Sequence, residues 1–192
     1  MQRIRADNVP AAITNLGFRV SRSDSRQEIF LERRETYGLI TFDIRPVLLA
    51  SSLPALLLFL TRWVSQDSAK LLWIQTCEYG FLSMNDAFHA NLGGRDKSLP
   101  VEEWPGFYFD PIDIQEAFNQ NITPDSSVEL DLLLSLLCIV TVADWGAKLI
   151  GCDGREHIEF WEGNIIFHSD KQEKIQSAID VSRRFELPVG RK

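Results

Sequence analysis

The sequence predicts an α+β fold in which an antiparallel β-meander and a C-terminal β-hairpin region pack with about five helices, in a single domain over residues 1–192. Three observations carry that expectation. Apolar and polar residues alternate in two blocks, Phe18 to Ile44 and Ala147 to Ser169, which is the period of half-buried strands. Elsewhere apolar residues recur at the three- and four-residue spacing of a helix face. A chain of 192 residues with a 45% hydrophobic share can also bury one core without disulfide staples.

Taken in order, Asn8 is placed to cap, Pro10 suits a first turn and Gly17 closes a short helix over Pro10–Leu16. Three strands follow, around Phe18–Val20, Ile29–Leu31 and Leu39–Ile44, and their short polar connections read as a meander. Ser52 and Pro54 open a helix from Leu53 to Gln66, with Leu56, Leu57, Leu60, Trp63 and Val64 on its inner face. Lys70 to Tyr79 reads as a strand, and residues 83–94 as a short helix ended by Gly93 and Gly94. Pro100, Pro105 and Pro111 interrupt regular structure up to Asp113, after which a short helix is expected.

The run from Val128 to Val142 is apolar on nearly every side, as a helix in the middle of a core would be. "WGAKLIGC", "EHIEFWEG" and "NIIFHS" then read as strands joined by tight turns, and Asp170 is placed to cap a last helix striped by Ile175, Ala178 and Ile179.

Composition excludes several function classes. The net charge is −7, and residues 98–147 hold nine acids (Glu102, Glu103, Asp110, Asp113, Glu116, Asp125, Glu129, Asp131 and Asp144) with no Lys, Arg or His. The remainder therefore sums to −7 + 9 = +2, so the chain is electrically lopsided and a nucleic-acid partner is not expected. The longest apolar run, Val47 to Leu60, has 14 residues and holds Pro54, against the roughly 20 that a membrane span needs. Cys77, Cys138 and Cys152 form no CxxC pair, which points to a reducing, cytoplasmic setting, and no apolar signal region follows Met1.

Sequences for phosphate cradles, serine nucleophiles and zinc pairs are missing, so no catalytic residue, cofactor or metal is assigned. Cys152 has a His five residues on, but beside a hairpin turn it reads as packing. His157 and Glu159 share a strand face by period two and His168 falls on the adjoining hairpin arm, an arrangement that would bring two imidazoles and a carboxylate to one metal ion. With Asp144 added, the same residues are the candidates for an enzyme site, the alternative to a binding function. A homo-oligomeric subunit, such as a homodimer, is a further alternative.

The segment Val101–Phe118 sets five acids and five aromatics in eighteen residues. Trp and Tyr among acids are the make-up of an interface facing Arg or Lys, so Glu102, Glu103, Trp104, Tyr108, Asp110, Asp113, Glu116 and, on a later strand, Trp161 are the expected partner-binding residues. In character "EEWPGFYFDPIDIQE" and "VADWGAKLIGCDGREHIEFWEGNIIFHS" resemble the small acidic immunity proteins that bacteria encode beside polymorphic or contact-dependent toxins. That resemblance implies a non-enzymatic inhibitor covering a basic toxin domain, often a nuclease, and carries over no individual residue.

Overall fold

The computed structural model describes residues 1–5, 8–22, 29–32, 38–44, 52–64, 69–74, 106–109, 124–152, 155–161 and 163–188. In chain order these form β1 (Gln2–Ile4), α1 (Val9–Asn15), β2 (Arg19–Arg22), β3 (Ile29–Glu32), β4 (Gly38–Asp43), α2 (Leu53–Trp63), β5 (Lys70–Ile74) and β6 (Gly106–Phe109). There follow α3 (Pro124–Val142), β7 (Ala147–Gly151), β8 (Glu156–Trp161), β9 (Asn164–Ser169) and α4 (Gln172–Arg184). The described residues thus hold four helices rather than about five, and the short helices expected over 83–94 and after Asp113 lie outside them.

Seven strands make one antiparallel sheet in the order β1-β6-β5-β7-β8-β9-β4, and β2 pairs with β3 as a separate ribbon. The expected N-terminal meander is therefore corrected: its third strand, β4, leaves the ribbon and pairs with β9, Ile40 opposite Phe167 and Phe42 opposite Ile165. Burial is the reason. Phe42 and Ile44 are buried in the main core, a setting that a two-stranded ribbon cannot supply.

Side chains on a strand alternate between faces, so the register sorts the sheet into two chemistries. One face carries Leu72, Ile74, Ala147, Leu149, Ile158, Phe160, Ile165 and Phe167 into the main core under α2, α3 and α4. Phe167 is its hub, with Trp63, Phe42 and Phe59 rings at 4.9, 6.0 and 6.5 Å. α2 and α4 are tied together beside it, since Trp63 Nε1 donates to the Lys174 carbonyl at 2.9 Å and Lys174 Nζ donates to the Trp63 carbonyl at 2.7 Å.

The opposite face holds a smaller cluster of Leu71, Trp73 and Ile150 under Val9, Ile13 and Phe18. α1 sits close here because β6 offers it a glycine: a Cβ on Gly106 would meet Val9 Cγ2 at 2.9 Å. The helix then stops as its sequence predicts. Gly17, at φ +86°, donates its N–H to Thr14 O (3.0 Å) and Phe18 donates to Ile13 O (3.4 Å), the paired bonds of a Schellman cap. Neither Asn8 nor Ser52 makes a side-chain cap, and the cap position of α4 falls at Lys171, one residue after Asp170, with the Lys171 N–H donated to Ser169 Oγ at 3.0 Å.

Truncating the aromatic hub tests this core. Phe167→Ala is expected to cost about 3–5 kcal/mol of unfolding free energy, read from the urea midpoint, because three rings lose their common neighbour.

Candidate functional site

Two features of the described residues stand out against the packing rules, and both follow from the register. The first is a group of ionisable side chains on the α1 face of the sheet. Lys148 of β7 lies opposite Glu159 of β8, and His157 of β8 lies opposite His168 of β9, so four polar side chains occupy adjacent rows where an apolar cover would be expected. Lys148 Nζ is 2.9 Å from Glu159 Oε1, and the Nε2 atoms of His157 and His168 are each 3.4 Å from the same oxygen. The two imidazoles stack at 4.0 Å with 12° between their planes, and Phe18 meets the His157 ring edge-on at 5.5 Å.

This group is poorly hydrated: the side chains of His157, Lys148, His168 and Glu159 are 1%, 8%, 12% and 20% exposed. Burial therefore pushes the Lys148 ammonium below its ordinary pKa, with Glu159 opposing the shift. Burial also pushes His168 down, to about 3, helped by the neighbouring His157, while Glu159 pulls the other way. For Glu159, burial favours the neutral acid but is outweighed by the facing His157 nitrogen and by Lys148, so its carboxyl is held below the usual carboxylate range. Near neutral pH Glu159 is therefore an ionised carboxylate and His168 a neutral imidazole. One ligand atom each from His157, Glu159 and His168 lies within 4.8 Å of the others, a donor set of two imidazoles and one carboxylate.

Asp144, the fourth candidate from sequence, belongs elsewhere. It takes the left-handed conformation (φ 56°) just past α3, donates its N–H to Thr141 O, and accepts the Gly163 N–H at 2.6 Å on its carboxylate. A short carboxylate suits that backbone position and steadies the β8–β9 turn, so its role is to join α3 to the hairpin.

The second feature is on α3, and it corrects the expectation of an all-round buried helix. Leu130, Leu133, Leu137 and Val140 are buried in the main core, whereas Val128, Leu132, Ile139 and Val142 are between 38% and 55% exposed. With exposed Ser135 they fall at spacings of four, three, four and three residues, one face of a helix over about 21 Å. Asp131 is exposed at the edge of that stripe, Glu129 pairs with the Met1 amino group, and the last turn of α3 has no basic residue. Surface patches of this kind are uncommon on isolated chains. The periodicity of the run hid it, because Leu, Ile and Val occupy both faces and sequence alone gives no reason to expose either.

Of the partner-binding residues expected from sequence, Glu102, Glu103, Trp104, Asp110, Asp113 and Glu116 lie outside the described residues. Tyr108 is half-buried within β6, opposite Leu71 and Gln2, so its backbone is an interior strand of the sheet instead of the Pro-broken loop the sequence suggested. Trp161 ends β8 half-buried while its neighbour Phe160 is in the main core, the division between faces that alternation requires. Cys138 packs against the main core and Cys152 follows β7, its N–H bonded to Ala69 O at 3.0 Å. No helix among the described residues is long and apolar enough to cross a membrane. No family model, curated protein or solved structure matches this chain.

The buried imidazole sets a pH dependence for the metal-free protein. His168 keeps its proton off until about pH 3 when folded but gains it near 6.5 when unfolded, so the unfolded chain binds more protons between those values. Stability is then fully present above about pH 6.5 and is lost as pH falls, by on the order of 2 kcal/mol between about pH 6.5 and pH 5. Urea midpoints in chelator-treated buffer are expected to fall over that range, and His168→Asn to flatten the dependence.

Proposed function

We propose that this chain is a non-enzymatic binding protein that covers the active surface of a basic protein partner, in the manner of an immunity protein against a cognate toxin domain of the nuclease kind. The observation that carries the reading is the exposed aliphatic stripe of α3 inside a segment that has nine acids and no cation from residue 98 to 147. Apolar residues held in water gain free energy when a partner covers them, at about 25 cal/mol per Å². The charge around the stripe selects which partner. Asp131 stands at its edge and the carbonyl end of α3 adds partial negative charge with no basic residue to offset it, so a partner presenting Arg or Lys around an apolar centre complements it.

Opposite charge speeds the encounter, while desolvated side chains slow release. In this reading Leu132 and Ile139 are the central contacts and the acids Glu102, Glu103, Asp110, Asp113 and Glu116 steer the partner in, with Trp104 as an aromatic contact, whereas Tyr108 and Trp161 alternate onto the α1 face of the sheet and lie outside that surface. Localisation in the cytoplasm, where such inhibitors meet their toxins, is part of the same proposal. A second copy of the chain is the competing occupant of the stripe, and it brings a like-charged segment against the first.

The test is a pull-down from native cell extract, washed at low and then high salt, followed by expression of the retained protein with and without this chain. A basic protein is expected, released by high salt, that arrests growth alone and not when co-expressed. The double variant Leu132→Asp, Ile139→Asp is expected to lose on the order of 100-fold in affinity with an unchanged melting curve. Reversal of Asp110, Asp113 and Glu116 to Lys is expected to slow association chiefly. Retention of further copies of this chain alone, or full affinity in the double variant, overturns the reading.

A further inference from the structure

The ionisable group on the other face of the sheet plays no part in that partner surface, and its cost calls for an explanation. Lys148, His157, Glu159 and His168 are each at most 20% exposed, and a buried ion pair rarely repays its own desolvation when apolar residues of like size would fit. The stretch around it is otherwise apolar, with Phe18 and Ile150 beside His157. His168 Nε2 is buried and makes no hydrogen bond among the described residues; it faces Glu159 Oε1 at 3.4 Å.

We propose that His157, Glu159 and His168 bind one first-row divalent cation, with zinc the best fit. Zinc takes imidazole nitrogen and carboxylate oxygen at about 2.0–2.2 Å in tetrahedral sites, which places neighbouring ligand atoms about 3.3 Å apart. Two of the three edges are already present: Glu159 Oε1 stands 3.4 Å from each histidine Nε2.

Two adjustments complete the site. The imidazoles are stacked at 12°, so one ring turns about its Cβ–Cγ bond to bring the lone pairs together. Lys148 Nζ, at 2.9 Å from the oxygen the metal takes, moves to the other carboxylate oxygen. Lys148 thus holds the place of the metal at that oxygen, and its removal favours loading. Three protein ligands leave a fourth position for water or for a side chain of another molecule. The ion would pin β8 to β9 across the same rows that now hold the stacked rings.

The test uses the full chain, freed of metal by chelator, titrated with ZnCl2 in a calorimeter and with CoCl2 in a visible spectrometer. One ion per chain is expected, with a tetrahedral cobalt band that zinc abolishes. Glu159→Gln, which keeps the side-chain shape, and His168→Asn are each expected to lose on the order of 100-fold in affinity, while Lys148→Met gains about tenfold because the competing amine is gone. His89→Ala, which removes the one histidine of the chain that is not a proposed ligand, is the control and is expected to bind as the parent does. Absence of stoichiometric binding, or equal affinity in Glu159→Gln and the parent, overturns the site; if His168→Asn fails to fold, the Glu159→Gln and Lys148→Met affinities still decide it.

Discussion

The cross-strand register of β7, β8 and β9 is the constraint on which the rest of this structure depends. Ile158 is set opposite Leu149 and Phe167, and every neighbouring row follows from that alignment. A slip of one residue would turn His157 and Glu159 into the aromatic core and put Ile158 and Phe160 outside, an exchange of charge for apolar surface that no repacking could offset. The turn that holds the register is anchored from a distance. Asp144, just past α3, accepts the Gly163 N–H, and Ile44 donates to the Gly163 carbonyl at 2.9 Å, so α3, β4 and the hairpin meet at one residue.

From that register come two faces of opposite character. The main core gathers three helices over one face, with Phe167 in contact with rings from β4 and α2. On the other, α1 covers only the β6, β5 and β7 side, where Gly106 lets Val9 approach, and leaves the β7, β8 and β9 rows to Lys148, Glu159 and the two histidines. The Schellman cap after α1 connects the two regions, because it turns the chain so that Phe18 both packs in the small cluster and meets the His157 ring. A local backbone motif thereby walls one side of the ionisable group.

α3 is governed by a different balance. Its buried face supplies Leu133, Leu137 and Val140 to the core, and its outer face is equally aliphatic although nothing described covers it. A helix with Leu, Ile and Val all round has no preferred rotation about its own axis, so the choice is made by what it packs against. Here α2 and the sheet take one side. The exposed remainder is the reason to look for a partner, and the charge pattern of residues 98–147 is the reason to look for a basic one.

Much of this was legible in the amino-acid sequence, and the division is physical. Local terms determined the elements: period-two alternation placed β7, β8 and β9, Pro10 and Gly17 bounded α1, and Leu53 with Pro54 began α2. Alternation also put His157 and Glu159 on one strand face, because side-chain direction in a strand is a property of the backbone. Tertiary structure decided what local terms cannot express. It took β4 away from β3 and gave it to β9, drew Tyr108 into an interior strand, exposed one of two equivalent faces of α3, and brought Lys148 to Glu159 and His168 to His157. These are choices of partner between segments far apart in the chain, and their free energy lies in burial and desolvation that exist only once the sheet has assembled.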